Sequence, residues 1–288
     1  MPIAEEDKRP YRLIRPVRMT TGVVFSSPHS GRDYPAQLIA RSVLDARRLR
    51  SSEDAFVDAL LAPAPEEGAA LLAARLPRAW VDLNRAEDEL DPALIEGLPR
   101  SPRGPRVMAG LGVIPRVVSG NRQIYAGKIS RTEAEARLAE VWRPWHMALA
   151  GLLGEARAGF GRALLLDVHS MPSEATEQMG TRRPDIVLGD RFGASARSEV
   201  TAAVDAVFTG LGLRVARNNP FAGAYITQRY GRPAEGIDVV QIEINRALYL
   251  DEERVEPGAD YADFVALMAR AVAGLAEIGR DGRRMAAE

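Results

Sequence analysis

Residues 162–173 read Arg-Ala-Leu-Leu-Leu-Asp-Val-His-Ser-Met-Pro-Ser and are the strongest indication of the fold. The apolar run at 163–166 is too short for a helix and lies between Gly161 and Pro172, which predicts a fully buried central strand. Such strands belong to sheets that are covered on both faces. Asp167 and His169 follow the run, and because they are two positions apart, an extended strand points both side chains to the same side.

The polar end of this strand has two interpretations. Taken alone, His169 is a buried core histidine whose ring is satisfied by hydrogen bonds. In open α/β sheets, however, ligands bind at the carboxyl ends of the strands, which makes His169 a candidate for a binding site. The choice depends on whether other strands end in the same way.

Three other segments are also predicted to be strands, and each changes from apolar to polar residues or carries a polar face. These segments are residues 22–28 before His29, residues 78–85 ending in Asn84 and Arg85, and residues 238–246 with Glu243. Glu243 shares a strand face with polar neighbours, opposite the valine and isoleucine side chains, and a carboxylate in so apolar a strand is costly to bury without a partner or a purpose. Because strands alternate with segments of helical periodicity, we expect a single α/β domain over residues 1–288 with a mostly parallel or mixed sheet.

Composition and charge exclude several classes of protein. The chain has 288 residues, of which 46% are hydrophobic, so it can bury a large core; its formal net charge is −1, and it contains no cysteine. The balanced charge argues against nucleic acid or an anionic membrane as a partner, and the lack of cysteine removes disulfides and thiolate sites. No apolar segment is long enough to span a bilayer, and the charged first residues lack the apolar core of a signal peptide, so we expect a soluble, cytoplasmic protein.

The segment after the first strand predicts a short helix. Ser51 or Ser52 is the predicted cap of a helix over residues 53–61. Glu53 and Asp54 then fall in its first turn, where acidic side chains interact favourably with the helix dipole. This interpretation gives both acids a purely structural role, unless another feature of the site requires a carboxylate.

Further signals predict a long loop and two long helices. The proline-rich residues 86–106 indicate a surface loop of the length that often acts as a flap. Ser130 and Glu133 match a capping box at the start of an amphipathic helix, and a last helix is predicted for residues 259–279.

Two histidines and a carboxylate at strand ends are the ligand types of catalytic zinc. Two imidazoles, one carboxylate and a water make up the zinc site of enzymes such as carboxypeptidase A, and neutral imidazole suits Zn²⁺. Zinc lowers the pKa of its water, a nearby carboxylate can pass the proton to a leaving amine, and an arginine can stabilise the oxyanion. The spacing itself is not specific, because the chain has no local H-E-x-x-H motif and His29 and His169 lie 140 positions apart.

The chain resembles the N-formylglutamate amidohydrolase family in five segments that occur in order. These are Ser27-Pro28-His29-Ser30-Gly31, Glu53-Asp54-Ala55-Phe56-Val57-Asp58, Val81-Asp82-Leu83-Asn84-Arg85, Asp167-Val168-His169-Ser170 and Gln241-Ile242-Glu243-Ile244. The resemblance covers about residues 22–253, and its Asp-Leu-Asn-Arg segment is also similar to aspartoacylase and, more distantly, to zinc carboxypeptidases. It implies a three-layer α/β/α fold of the zinc-carboxypeptidase type, hydrolysis of a small N-acyl amino acid, and a role in histidine degradation.

The resemblance implies one Zn²⁺ per chain. His29 and His169 match two of its ligands. The third ligand is an acid from the pair Glu53 and Asp54, of which we favour Asp54 because the family pattern has an acid at that position.

The resemblance also implies roles for residues around the metal. Glu243 matches the general base, and Arg78 matches the arginine that stabilises the oxyanion. Asn84 and Arg85 match the residues that bind the α-carboxylate of the substrate, and Arg229 is a candidate for binding its side-chain carboxylate.

Three functions are compatible with these residues. The first is a zinc amidohydrolase that cleaves N-formyl-L-glutamate to formate and glutamate. The second is a deacylase or carboxypeptidase that acts on another N-acyl amino acid or a short peptide, since formyl specificity needs only a small pocket that motifs do not reveal. The third is a non-catalytic binding protein of the same fold, which metal analysis would distinguish from the other two; the sequence leaves the oligomeric state open.

Overall fold

The computed structural model describes residues 9–99, 104–179 and 183–280. The strands are β1 Tyr11–Ile14, β2 Val23–Ser27, β3 Ala70–Ala74, β4 Val117–Val118, β5 Arg122–Gln123, β6 Ala163–Met171, β7 Ile186–Gly189, β8 Val215–Arg217, β9 Ile237–Asn245, β10 Leu250–Asp251 and β11 Glu256–Pro257. The helices are α1 Ala36–Arg41, α2 Ala46–Arg50, α3 Val57–Leu60, α4 Pro105–Met108, α5 Arg131–Arg137, α6 Arg143–Phe160, α7 Ser198–Gly210, α8 Tyr225–Tyr230 and α9 Tyr261–Ile278.

The central sheet is mixed and mostly parallel, as predicted. Its strand order is β1-β3-β2-β6-β9-β7-β8, which places β6 in the middle. The pairs β2 with β6, β6 with β9, and β7 with β8 are parallel, whereas β7 runs antiparallel to β9. Every residue of β6 is buried, which explains why its first part, residues 163–166, is a continuous apolar run rather than an alternating pattern.

Both faces of the sheet are covered. Phe25 of β2 and Leu166 of β6 pack in one apolar core with residues of α3, α7 and α9. The intervening side chains of Val24, Leu165 and Val239 point to the opposite face and have no exposed surface. The predicted three-layer α/β class is therefore confirmed.

The chain forms two compact units. The loop unit comprises the described parts of Met1–Arg12, Pro28–Asp54 and Ala73–Ala148, and it holds α1, α2, α4, α5 and the β4–β5 hairpin. The sheet unit comprises the described parts of Leu13–Ser27, Ala55–Leu72 and Leu149–Glu288, and it holds β2, β6 to β11, α3 and α7 to α9. A single hydrolytic domain over residues 1–288 stays a prediction.

The predicted helix over residues 53–61 is wrong at its start. The helix α3 covers only Val57–Leu60, because Phe56 adopts a left-handed backbone with φ of 63° that a preceding helical turn cannot contain. Asp54 instead donates its backbone N–H to the carbonyl of His29 at 3.0 Å. The segment before α3 is therefore a connection made mostly of turns that runs beside His29, and Asp54 does not serve a helix dipole.

The predicted strand over residues 78–85 is also wrong. This segment consists of turns, and its Asp82 carboxylate accepts a hydrogen bond at 2.9 Å from the backbone N–H of Asn84. An aspartate that bonds the backbone two residues on stabilises a turn and competes with strand pairing. Asn84 and Arg85 thus lie in a folded loop after β3, not at the end of a strand.

The other predicted elements are close to those observed. Ser130 caps α5 by accepting the backbone N–H of Glu133 at 3.1 Å, and the helix continues through a π-helical turn at Leu138–Trp142 into α6. The predicted loop 86–106 includes the start of α4, while residues 100–103 lie outside the described part of the chain. In that described part, the helices all fall short of the combined length and hydropathy that membrane crossing requires.

Candidate active site

The carboxyl ends of neighbouring strands bring the predicted polar residues of the sheet unit to one edge. Ser26 of β2 is in register with Asp167 of β6, and His169 of β6 is in register with Glu243 of β9. These pairs are parallel, so their side chains leave the sheet on the same face. The chain that leaves β2 reaches His29 two residues after the strand ends at Ser27.

The ring of His169 is oriented by a buried carboxylate. Its Nε2 lies 2.9 Å from Oδ2 of Asp167, and the hydroxyl of Ser26 donates to the other oxygen of Asp167 at 2.6 Å. A carboxylate can only accept here, so Nε2 of His169 carries the proton and Nδ1 presents its lone pair. Imidazoles that bind metals are oriented in this way by a second carboxylate.

The ring of His29 has the same arrangement in the loop unit. Its Nε2 lies 2.7 Å from Oδ1 of Asp82, and its Nδ1 lies 3.4 Å from Oδ2 of Asp54. All three side chains have 2% or less of their surface exposed. The Nδ1 atom of His29 therefore faces a carboxylate that is itself a ligand type for divalent metals.

Two arginines of the loop unit lie close to the carboxylate of Asp82. Arg78 donates to Oδ2 at 2.9 Å, and Nε of Arg85 lies 3.8 Å from the same oxygen. Burial raises the pKa of Asp82, but Arg78, His29 and Arg85 outweigh that effect and hold the pKa well below its usual range. Asp82 thus stays ionised and connects the two arginines to the His29 ring.

Three of the predicted metal ligands lie together. Among the residues that the structure describes, His29, Asp54 and His169 form a buried group in which each offers one ligand atom, and these atoms all lie within 4.8 Å of one another. The carboxylate of Glu53 is engaged elsewhere, because it accepts from the hydroxyl of Tyr34 at 2.5 Å and from Arg50 at 3.0 Å. The acid in this group is therefore Asp54 and not Glu53.

Glu243 is held by its neighbour on the same strand face. Nε2 of Gln241 donates to Oε1 of Glu243 at 2.8 Å, and Glu243 is buried with 8% of its surface exposed. The charge of a carboxylate buried in an apolar strand is stabilised by hydrogen bonds from protein groups, which replace those that water would make. The role of Glu243 as the general base stays a prediction.

Asn84 and Arg85 are buried in the loop unit. The guanidinium of Arg85 donates to the carbonyl of Leu111 at 3.0 Å and to that of Asn84 at 3.2 Å. Burial lowers the pKa of Arg85, and the nearby Asp82 opposes that shift. An arginine keeps its charge under such a shift, so Arg85 supplies a fixed cation.

Arg229 lies on the short helix α8 rather than at a strand end. Its Nη1 donates to the hydroxyl of Tyr225 at 2.8 Å, and its guanidinium lies 5.6 Å from the ring centre of Tyr230. Burial raises the pKa of Tyr230 to about 12, so this tyrosine stays neutral beside the arginine. The start of α8 is bound to β9, since Oε1 of Gln241 accepts from the backbone N–H of Ala224 at 3.0 Å.

The residues that orient the two histidines and Glu243 were not predicted from the sequence. Asp82, Asp167 and Gln241 had no predicted role, although all three lie in the segments that carry the family resemblance. For Asp167 a usable signal exists, because an acid two positions before a candidate ligand on a strand faces the same side. For Asp82 no local signal exists, since its partner His29 lies 53 positions away.

Two enzymes of Pseudomonas are similar in sequence to most of this chain. This chain is 34% identical over 234 residues to an N-formylglutamate deformylase of Pseudomonas aeruginosa. The aligned residues cover 80% of this chain and 83% of the relative. The chain is 30% identical over 233 residues to an N-formylglutamate deformylase of Pseudomonas putida, with 80% and 82% covered. The N-formylglutamate amidohydrolase family matches residues 21–250. This chain is therefore an amidohydrolase, an enzyme that cleaves a carbon–nitrogen amide bond. It belongs to the N-formylglutamate amidohydrolase family.

Solved structures agree with this assignment. A crystal structure of N-formylglutamate amidohydrolase from Ralstonia eutropha JMP134 superposes with a TM-score of 0.88 at 36% identity, over 95% of this chain and 99% of the other. A protein of known structure from Agrobacterium tumefaciens superposes with a TM-score of 0.66 at 19% identity, over 96% and 98% of the two chains. The second likeness concerns the fold alone.

Proposed function

We propose that this chain hydrolyses N-formyl-L-glutamate to formate and L-glutamate with one Zn²⁺ bound by His29, Asp54 and His169. The observation that carries the proposal is the buried group of two imidazoles and one carboxylate, with ligand atoms within 4.8 Å of one another, in a member of this family. Two relatives that bear the name N-formylglutamate deformylase support the choice of substrate.

The residues present fit zinc by their chemistry. Nitrogen, nitrogen and oxygen donors from three residues are the ligand set of a catalytic zinc site, which keeps a further position open. Both imidazoles contact a carboxylate through Nε2, at 2.7 Å for His29 and 2.9 Å for His169, so Nδ1 of each ring is the atom that would hold the metal. When bound, zinc supplies a Lewis acid and lowers the pKa of a water molecule towards neutrality.

Glu243 serves as the general base in this proposal. Its carboxylate takes one proton from the attacking water and delivers it to the amide nitrogen, so that the carbon–nitrogen bond breaks and the amine of glutamate leaves. One water is consumed, and formate and glutamate are the only products. Glu243 regains its charge at the end and needs no other proton donor.

The arginines bind and stabilise the anionic groups. Arg78 donates to the oxygen of the formyl group as that oxygen becomes negative. Asn84 and Arg85 bind the α-carboxylate, for which the fixed geometry of a guanidinium is well suited. Arg229 binds the side-chain carboxylate, and its partial exposure on α8 leaves it accessible to a small-molecule ligand.

Replacement of Glu243 by glutamine tests the mechanism directly. Glu243→Gln keeps the size of the side chain and removes the base, so we expect zinc content to stay near one equivalent while kcat falls roughly 10²- to 10⁴-fold. The measurements are metal analysis of the purified variant and formate release under saturating substrate. A variant that turns over like the wild type would remove Glu243 from the mechanism.

A panel of substrates tests the specificity. N-formylglutamate, N-acetylglutamate and a short glutamyl peptide are compared by kcat/KM on the zinc-loaded enzyme. We expect the formyl substrate to exceed the others, and equal values would favour a general deacylase. A cytoplasmic location and a role in histidine degradation stay predictions.

A further inference from the structure

Gln241 of β9 makes hydrogen bonds both to Glu243 and to the start of α8. It is buried with 4% of its surface exposed and lies on the same strand face as Glu243. We propose that Gln241 is a positioning residue that sets the place of the Glu243 carboxylate and couples it to α8, the helix that carries Arg229. This inference rests on the proposed function of Glu243 and Arg229.

The orientation of the Gln241 amide is decided by chemistry. The backbone N–H of Ala224 can only donate, so the atom that meets it at 3.0 Å is the oxygen Oε1. The other end of the amide is then Nε2, which donates to Oε1 of Glu243 at 2.8 Å. One side chain thus accepts from the helix start and donates to the carboxylate, and neither bond can form with the amide reversed.

The strand pairing leaves Gln241 little freedom to move. Its backbone is in register with Asp167 on β6 and with Gly189 on β7, so it is paired on both sides. A Cβ atom added to Gly189 would lie 2.6 Å from the backbone nitrogen of Gly223, so the segment before α8 passes directly over the end of β7. This close approach lies immediately before Ala224, whose N–H bonds to Gln241.

The two bonds predict two separable kinetic effects. The bond to Glu243 places the base, and a small displacement of a reacting group can cost about 100-fold in rate. The bond to Ala224 places the start of α8, the helix on which Arg229 donates a hydrogen bond to Tyr225. Losing the first bond should lower kcat, and losing the second should raise KM.

Two variants of Gln241 separate these effects. Gln241→Glu keeps an oxygen to accept from Ala224 but replaces the donor by a second carboxyl group beside Glu243. At this distance the two groups either repel each other or share one proton, and both outcomes remove a correctly placed, ionised base. Gln241→Met has a similar length and makes neither bond. Gln228→Glu is the matched control, because Gln228 is an exposed glutamine on α8 and the chemical change is the same.

The expected result has three parts. Gln241→Glu lowers kcat about 10- to 100-fold with KM within about threefold of the wild type. Gln241→Met lowers kcat similarly and raises KM by more than about fivefold, while Gln228→Glu changes neither constant by more than about twofold. Zinc content and the melting temperature are measured for every variant and should match those of the control.

The Glu243→Gln background distinguishes positioning from general damage. If Gln241 acts on kcat through Glu243, adding Gln241→Met to Glu243→Gln should change kcat by less than about twofold. A further loss of 10-fold or more in that background, or a kcat near the wild-type value in both single variants, would overturn the inference. If Glu243→Gln alone remains active, the proposed base itself is wrong and the inference fails with it; if only the Gln241 variants behave normally, the proposed function stands.

Discussion

Removing the charge of Asp167 should weaken zinc binding without unfolding the protein. Asp167 has no exposed surface, and its carboxylate accepts from Nε2 of His169 at 2.9 Å and from the hydroxyl of Ser26 at 2.6 Å. In Asp167→Asn, the amide oxygen can still accept from His169, and the amide nitrogen can donate to Ser26, whose hydroxyl turns from donor to acceptor. The geometry is preserved, and only the negative charge behind the imidazole is lost.

The magnitude follows from the role of that charge. Carboxylates that bond to metal-binding histidines contribute about 10- to 100-fold to metal affinity. This range corresponds to about 1.4–2.7 kcal/mol of binding free energy. Asp167 lies behind only one of the two histidines, because His29 has its own partner in Asp82, so binding should weaken but not disappear.

The assay is competition for zinc between the protein and a chelator at fixed pH. Asp190→Asn is the matched control: this buried aspartate accepts from Asn218 at 2.8 Å and from Thr201 at 2.9 Å, away from both histidines. It should leave zinc affinity within about twofold of the wild type. An Asp167→Asn variant that binds zinc as tightly as the wild type would refute the assignment of Nδ1 of His169 as a metal ligand.

Two further predictions concern the scaffold. A Cβ at Gly31 would lie 2.0 Å from the carbonyl oxygen of Leu76, so Gly31→Ala should lower the melting temperature and zinc occupancy by displacing the segment around His29; Gly127→Ala, which has no atom within 4 Å, should change neither. Burial raises the pKa of Asp190, but hydrogen bonds from Asn218, Gly193 and Thr201 lower it by more, so the pKa lies below its usual range. The stabilisation of the ionised Asp190 is therefore complete above the unfolded pKa of about 3.9 and is lost as the pH falls through the lower folded value. Denaturant unfolding should show Asp190→Asn to be less stable by about 1–3 kcal/mol at pH 7, with the difference shrinking below about pH 4; a difference that is constant with pH would contradict this.

The strands of the sheet were predictable because their signals are local. The apolar run before Asp167 and the alternation around Glu243 each specify a strand and the direction of its side chains. The prediction of a helix over residues 53–61 was wrong because a pattern of capping residues does not indicate the left-handed backbone of Phe56. The prediction of a strand over residues 78–85 was wrong because the Asp82 carboxylate accepts from the backbone N–H of Asn84, which stabilises a turn.

The spacing of Asp167 and His169 was enough to predict that they share a strand face, because alternate residues of a strand point to the same side. Three other contacts became visible only in the folded chain: Asp82 orients His29 across 53 positions, Asp54 rather than Glu53 lies with the histidines, and one glutamine bonds both Glu243 and the start of α8. Strand geometry is repeated at every residue, whereas contacts between distant side chains depend on the path of the connecting loops. That path is set by a few non-repeating features, such as the positive φ of Phe56 and the close packing at Gly31.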